Sequence, residues 1–489
     1  MSDYVNDLEN VEITTVLLPD SNAQQLRFLQ RMQAVLSPEG TMSALVAGPS
    51  PNVFVIPHAA EQSIRKKLNL ASTDTWKACL AKWGATHTNR LSRDAYVALM
   101  TRGSMVVDGK LIGSPKVVAV KPPRQKIAGP GFVPANFTGP YDWHIDERGV
   151  NAAGAWRMFA ADSKFAESLP WAGIRVAHID TGYTEHVALG WEEGKSSTVR
   201  SVDGLDFWDG AADVDGPRDP FLAGSPGHGT RISATIAGYY PTAQGGPFYG
   251  VAPGAQIIPF RVTDSVMIDH VQDKVRDAMK AAIDKGCHVV NISLGALRPS
   301  KELAAALDAA YDAGLIVICA AGQVWGEVIY PGRFNRCVTM GGVGPGLKPW
   351  RSAAKGVYVD LCGPADSIRR ILAESWPPKK SAIRMEDKPG DGTSYATACC
   401  AGAAALWLAW HGVDALRDKC GSSGLWQIPK AFKYLAMKSV TPGTWTADDR
   451  GNYGTGVLNI EAILKAPLPD AGTMRAENLA YGVFDDGSL

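Results

Sequence analysis

From about Ile174 onward the chain alternates short apolar runs with stretches of helical periodicity, and this alternation limits the possible folds more than any other feature. The apolar runs cover 174–179, 257–262, 287–294, 315–320, 337–342 and 357–361. Most are apolar throughout, not at every second residue, as expected of strands buried on both faces of a parallel sheet. Between them, Val271, Val275, Met279 and Ile283 recur at helical spacing, and Gly286 follows as a stop. Leu303, Leu307 and Tyr311 repeat the pattern before Gly314. Strands alternating with helices predict an α/β, doubly wound, mostly parallel sheet with helices on both faces. Ligands of such sheets bind beyond the carboxyl ends of the strands. The uncharged stretch 395–410, rich in Ala and Cys, is expected to be a buried core helix, because it is short for a membrane span.

A chain of 489 residues is long for one domain. Residues 1–125 mix short apolar runs (53–56, 117–120) with helical stretches (24–35, 94–101) and predict an N-terminal α+β segment. Five prolines and three glycines between Lys121 and Pro140 place a Pro/Gly-rich linker over 126–140. The main domain is expected over 141–465 and a tail over 466–489. Residues 366–392, with Pro377, Pro378 and Pro389, are expected to form a polar loop.

Charge and cysteine usage narrow the function classes. Lys+Arg and Asp+Glu both number 49, so a neutral chain offers no electrostatic case for nucleic acid or an anionic membrane as partner. Asp3, Asp7 and Glu9 do not resemble a basic leader. The eight cysteines form no CxxC pair, so reduced buried thiols and a cytoplasmic location are expected. Ligand spacing for a metal is missing, and no metal or cofactor is expected.

Three short patterns carry chemistry. Asp180-Thr181-Gly182 ends the first strong strand; alone, it could be a turn. Gly227-His228-Gly229-Thr230 opens a helical pattern, and its glycines allow close approach to the imidazole. Gly392-Thr393-Ser394 opens the apolar helix, where a serine could be a cap or could aim its backbone N–H at a developing oxyanion. His178, on the same strand face as Asp180, reads as a core histidine more readily than as a metal ligand. Asp213, Asp215 and Asp219 read as a solvated turn, because they lack the spacing of a calcium loop. A lone Asp-Thr-Gly does not make an aspartic protease, which needs two carboxylates sharing a proton.

The three patterns occur in the order Asp, His, Ser, separated by 48 and 166 residues. That order is the one found in subtilisin. The chain resembles the subtilisin-like serine protease (subtilase) family from about Trp143 to Leu464. Further matching stretches are Gly250-Val251-Ala252-Pro253, Val290-Asn291-Ile292-Ser293-Leu294-Gly295, Ala320-Ala321-Gly322, Tyr330-Pro331 and Tyr453-Gly454-Thr455-Gly456. The resemblance implies a serine endopeptidase with a polypeptide substrate bound as an extended strand. It makes Ser394 the nucleophile, His228 the general base and Asp180 its orienting carboxylate. It implies an oxyanion hole of the Ser394 N–H and Gln323. Substrate would pair along Ser293, Leu294 and Gly295, with Ala320, Ala321 and Gly322 lining the pocket for the residue before the scissile bond. It also makes 1–125 either a removable prodomain-like segment or a retained accessory domain. Departures from the family pattern are Gln323 in place of Asn, Arg231 in place of a second His, Ala234 in place of Gly, and Thr397-Ala398 in place of Ser-Pro. Gln323 motivates the alternative of a catalytically weak subtilase-fold regulatory or binding protein. Trp325 and Glu327 are candidates to shape the primary pocket.

Overall fold

A computed structural model describes residues 142–371 and 385–470, apart from 166–168, 187, 193–194, 197, 209–215, 220–224, 226, 240–248, 324–325 and 447–448. It also describes Thr473 and, nearer the start, 13–17, 46–47, 53–56, 65–66, 68–70, 73–83, 85, 87–91, 105–107 and 110–112. The chain forms two compact units: 1–116 with 220–226 and 264–267, and the remainder. The expected stretches 24–35, 94–101 and 117–120 and the linker 126–140 lie outside the described residues.

In the first unit β1 (Ile13–Leu17), β2 (Val46–Ala47), β3 (Val53–Ile56) and β4 (His87–Leu91) form an antiparallel sheet in the order β2-β3-β1-β4. Helix α1 (Thr73–Lys82) lies between β3 and β4 in the chain and buries Trp76 and Leu80. Those two residues are one helical turn apart and share a face. Strands β5 (Met105–Val107) and β6 (Lys110–Ile112) pair antiparallel.

The second unit is built on a doubly wound sheet. Its strands are β7 (Arg175–Asp180), β8 (Leu205–Asp206), β9 (Gln256–Arg261), β10 (Val289–Ile292), β11 (Ile316–Ala320), β12 (Val338–Gly344), β13 (Lys348–Pro349) and β14 (Leu361–Pro364). The order is β8-β9-β7-β10-β11-β12-β13, with β14 also on β12; every pairing is parallel except β12–β13. The chain leaves β7 for one neighbour, β9, and then crosses to the other, β10. The carboxyl end of β7 is therefore a topological switch point. All of β10, β11 and β12 is buried, which explains their continuous apolar runs.

Helix α2 (Ala152–Ala161) is followed by α3 (His228–Ala237), α4 (Gln272–Asp284), α5 (Lys301–Asp312) and α6 (Thr393–His411); the last four pack on the sheet, whereas α2 packs on α6. α4 and α5 pack together and against β7 and β11. α6 packs on β10, β11, β12, β14 and α3. Small residues let α6 sit close: a Cβ on Gly402 would stand 2.5 Å from Val251 Cβ. No single helix among the described residues is long and apolar enough to cross a membrane; α6 passes only together with Val413–Cys420, from which it is bent by 76°.

Two expectations are corrected. The strand expected over 357–361 starts at Leu361; Val357 is 81% exposed, so an apolar letter there marks a turn in solvent. The polar loop expected over 366–392 contains two paired antiparallel strands, β15 (Ile368–Ile371) and β16 (Met385–Gly390). Charged residues and Pro389 hid them, but Ile368 and Ile371 are buried.

Candidate active site

Asp180 is the last residue of β7, flanked on both sides by parallel strands, and it is fully buried. Its Oδ1 accepts the Thr181 N–H at 2.8 Å and faces His228 Nδ1 at 2.7 Å. Burial by itself pushes the Asp180 pKa up. The His228 and His178 imidazoles and the hydrogen bonds from His228 and Thr181 outweigh burial, so the carboxyl titrates below its ordinary value. A carboxylate held this way is a fixed acceptor for an imidazole N–H.

The approach of α3 to β7 depends on glycine. A Cβ on Gly229 would lie 2.1 Å from the Gly182 carbonyl oxygen, so no other residue fits beside the imidazole. Gly227, at φ 70°, turns the chain into the helix that His228 begins. Asp219 holds this turn. Its Oδ2 accepts the Thr181 hydroxyl at 3.1 Å and the Gly227 N–H at 2.7 Å, and Thr181 Oγ1 in turn accepts the Gly229 N–H at 3.1 Å. Asp219 is 5% exposed, which corrects its reading as part of a solvated turn. Asp213 and Asp215 lie outside the described residues.

His178 is a buried core histidine. Its Nε2–H donates to the Gly229 carbonyl at 3.0 Å and its Nδ1 accepts from Asn291 Nδ2 at 3.2 Å. Both nitrogens are thus engaged by protein groups. Burial pulls its pKa down despite the pull of Asp180, keeping it neutral. Among the described residues, no group of three or more His, Cys, Asp or Glu side chains is arranged to hold a metal ion.

Ser394 is the second residue of α6, after Gly392 at φ 147°. Its Oγ lies 3.2 Å from His228 Nε2 and 3.3 Å from the Ser293 carbonyl. Ser293 Oγ donates to the Ser394 carbonyl at 3.2 Å and accepts from Asn291 Nδ2 at 3.1 Å. The end of β10 is therefore stitched to the first turn of α6. Asn291 links the two halves of the site, since it also contacts His178.

Gln323 follows β11 and Gly322, which has φ 96°. Its Oε1 accepts the Thr393 N–H at 3.1 Å. Because an N–H must meet an oxygen, this bond fixes which end of the carboxamide is which and leaves the NH₂ as its donor end. Ser293, Leu294 and Gly295 follow β10, while Ala320, Ala321 and Gly322 end and follow β11. The Gly295 carbonyl accepts the Ile268 N–H at 2.9 Å. Trp325 lies outside the described residues, and Glu327 is exposed. Arg231, Ala234, Thr397 and Ala398 are all buried in α3 and α6, and Thr397 Oγ1 donates to the Thr393 carbonyl at 2.9 Å.

The site thus joins the carboxyl ends of β7, β10 and β11 to the amino ends of α3 and α6. The sequence model of the Subtilase family matches residues 172–418, just over half of the chain and all of this constellation. The chain belongs to the subtilase family. Among similar curated proteins, Subtilisin Savinase of Lederbergia lenta is 25% identical over 315 residues, covering 61% of this chain and 99% of that protein. The Major intracellular serine protease of Bacillus subtilis (strain 168) is 25% identical over 257 residues, covering 51% and 73%. A solved structure titled as proteases from Pseudoalteromonas arctica gives a TM-score of 0.49 at 20% identity, covering 66% of this chain and 96% of that one.

Among the subtilase residues here, the sequence alone does not assign Asp219 and Asn291 to the site. Asn291 sits inside a matching stretch and was legible. Asp219 carried no local signal beyond its acidity.

Proposed function

We propose that this subtilase is a serine endopeptidase that cleaves peptide bonds through an acyl-enzyme, with Asp180, His228 and Ser394 as its catalytic triad. The observation that carries the reading is the unbroken line from Asp180 Oδ1 to His228 Nδ1 at 2.7 Å and from His228 Nε2 to Ser394 Oγ at 3.2 Å. A serine hydroxyl is a weak nucleophile until a base takes its proton. Asp180 holds the imidazole with Nδ1 protonated, which leaves Nε2 to take the Ser394 proton as Oγ attacks the carbonyl carbon. The resulting imidazolium is stabilised by Asp180 and returns the proton to the leaving amine. Water then repeats the sequence on the acyl-enzyme and frees the second product.

Negative charge develops on the former carbonyl oxygen. The Ser394 N–H, in the first turn of a helix, and the Gln323 NH₂ are its donors in this reading. The Thr393 N–H supports the assignment by anchoring the other end of the Gln323 carboxamide. Substrate lies extended along Ser293–Gly295, with its primary side chain toward Ala320–Gly322. A reducing compartment, the cytoplasm, suits the eight unpaired cysteines.

The test is peptide hydrolysis by the wild type and by Ser394→Ala. Removing the nucleophile should cost roughly 10⁶-fold in kcat, a magnitude known from subtilisin, a relative of this chain. A wild type that cleaves no peptide would favour a regulatory or binding role for the same fold.

A further inference from the structure

Two strand ends run out of the sheet beside Ser394: 293–295 after β10 and 320–322 after β11. Each presents a glycine, Gly295 and Gly322. Two bare backbone faces in opposed positions leave room for a side chain between them. In this protein that room is occupied. A Cβ on Gly295 would stand 1.9 Å from Ile329 Cδ1, and a Cβ on Gly322 would stand 2.7 Å from the same atom. One methyl group therefore lies against both walls.

Ile329 is held there from both sides. Its N–H donates to the Ala321 carbonyl at 3.0 Å. The next residue, Tyr330, exchanges two hydrogen bonds with Ala296, at 2.9 and 2.8 Å. The 329–330 segment thus bridges the two walls, and Ile329 is 9% exposed. A β-branched side chain on a pinned backbone has few rotamers in which to swing aside.

We propose that Ile329 closes the floor of the primary specificity slot, so that this protein cleaves after residues with small side chains, Gly, Ala or Ser, and discriminates against Phe, Tyr and Leu. The proposal rests on the peptidase reading above. A large side chain would have to displace a methyl packed on two backbones, and close-packed interiors resist this. A small side chain needs only the outer part of the slot, nearest Ser394.

The experiment measures kcat/KM on a peptide series differing only in the residue before the scissile bond. The wild type should prefer Ala over Phe by at least about 100-fold, the scale on which packed pockets discriminate. Ile329→Ala should raise kcat/KM for Phe tenfold or more and narrow the Ala/Phe ratio. Ile329→Val removes only Cδ1 and should admit Leu before Phe; it serves as the readout if Ile329→Ala does not fold. Wild-type cleavage after Phe or Leu as fast as after Ala overturns the proposal. So does a folded Ile329→Ala with an unchanged Ala/Phe ratio, or a folded Ile329→Val with an unchanged Ala/Leu ratio. If no peptide in the series is cleaved, the peptidase reading itself has failed, an outcome separate from a wrong preference.

Discussion

His228 and Ser394 each stand in the first turn of a buried helix, yet the two helix starts are held in different ways. The α3 start is fixed on all sides: Gly227 turns the chain, Gly229 lies on the Gly182 carbonyl, and Asp219 and Thr181 receive the Gly227 and Gly229 N–H groups. At the α6 start Gln323 accepts the Thr393 N–H, the Thr397 hydroxyl donates to the Thr393 carbonyl, and Ser293 and Ser394 are bonded to each other. The α3 start is the more tightly bonded of the two, although Arg231 and Ala234 farther along α3 depart from the family pattern. The α6 half adjoins Gln323, and in the proposed peptidase it would meet the substrate together with Ile329. In the proposed peptidase, disturbing the Asp180–His228 half should therefore cost more than disturbing the half with Gln323 and Ile329.

Breaking the Asp180–His228 half should do the most damage. Asp180→Asn keeps the shape of the side chain but not its charge and favours the wrong His228 tautomer, so kcat should fall on the order of 10⁴-fold, as in the same substitution of other triads. A loss below about tenfold would show that Asp180 does not orient His228.

The substrate-side half should respond less. Gln323→Ala is expected to lower kcat tenfold or more, toward ~10²–10³, with little change in KM, because its donor acts mainly in the transition state. Steady-state kinetics on one good peptide decide this. An unchanged kcat would remove Gln323 from the oxyanion hole.

Asp219→Ala sharpens the comparison by loosening the α3 start without touching the triad. The Thr181 hydroxyl and the Gly227 N–H lose their bonds to a buried carboxylate, each worth about 1.5–3 kcal/mol. Tm should drop by several degrees and kcat should fall modestly, while the substrate preference stays the same. An unchanged Tm would mean that the turn does not depend on Asp219.

A smaller effect concerns Asp269. Burial raises its pKa to about 6, with the Leu297 and Arg298 backbone bonds opposing, and its Oδ2 has no hydrogen-bond partner among the described residues. A carboxyl raised above its unfolded value of about 4 favours the protonated form, so folding loses stability as pH rises from about 4 through about 6. Asp269→Asn keeps an oxygen for the Leu297 N–H and removes the charge. Its Tm should exceed the wild type's above pH 6, and the difference should vanish near pH 4. Parallel Tm curves at every pH would contradict the shift.

Much of this was legible in the sequence, for physical reasons. Fully buried strands such as β10 and β11 announce themselves by uninterrupted apolar letters. Asp180, His228 and Ser394 stand out because the glycines that permit their close approach lie next to them in the chain. What stayed hidden depends on distant contacts. Asp219 looks like any acid in a polar segment until Thr181 and Gly227 are seen to donate to it. Ile329 looks like one more apolar residue before Tyr330-Pro331, and only the fold sets its methyl between Gly295 and Gly322. The β15–β16 pair was missed because charge and proline mask a short edge pairing.

The most direct test of the triad is the mapping of a fluorophosphonate probe by intact mass and peptide sequencing. The hydroxyl must be activated by its neighbour to react. The account predicts one adduct per chain, on Ser394, in the wild type, and its loss in folded His228→Ala. An adduct on another serine, or a folded wild type that stays unlabelled, would contradict it.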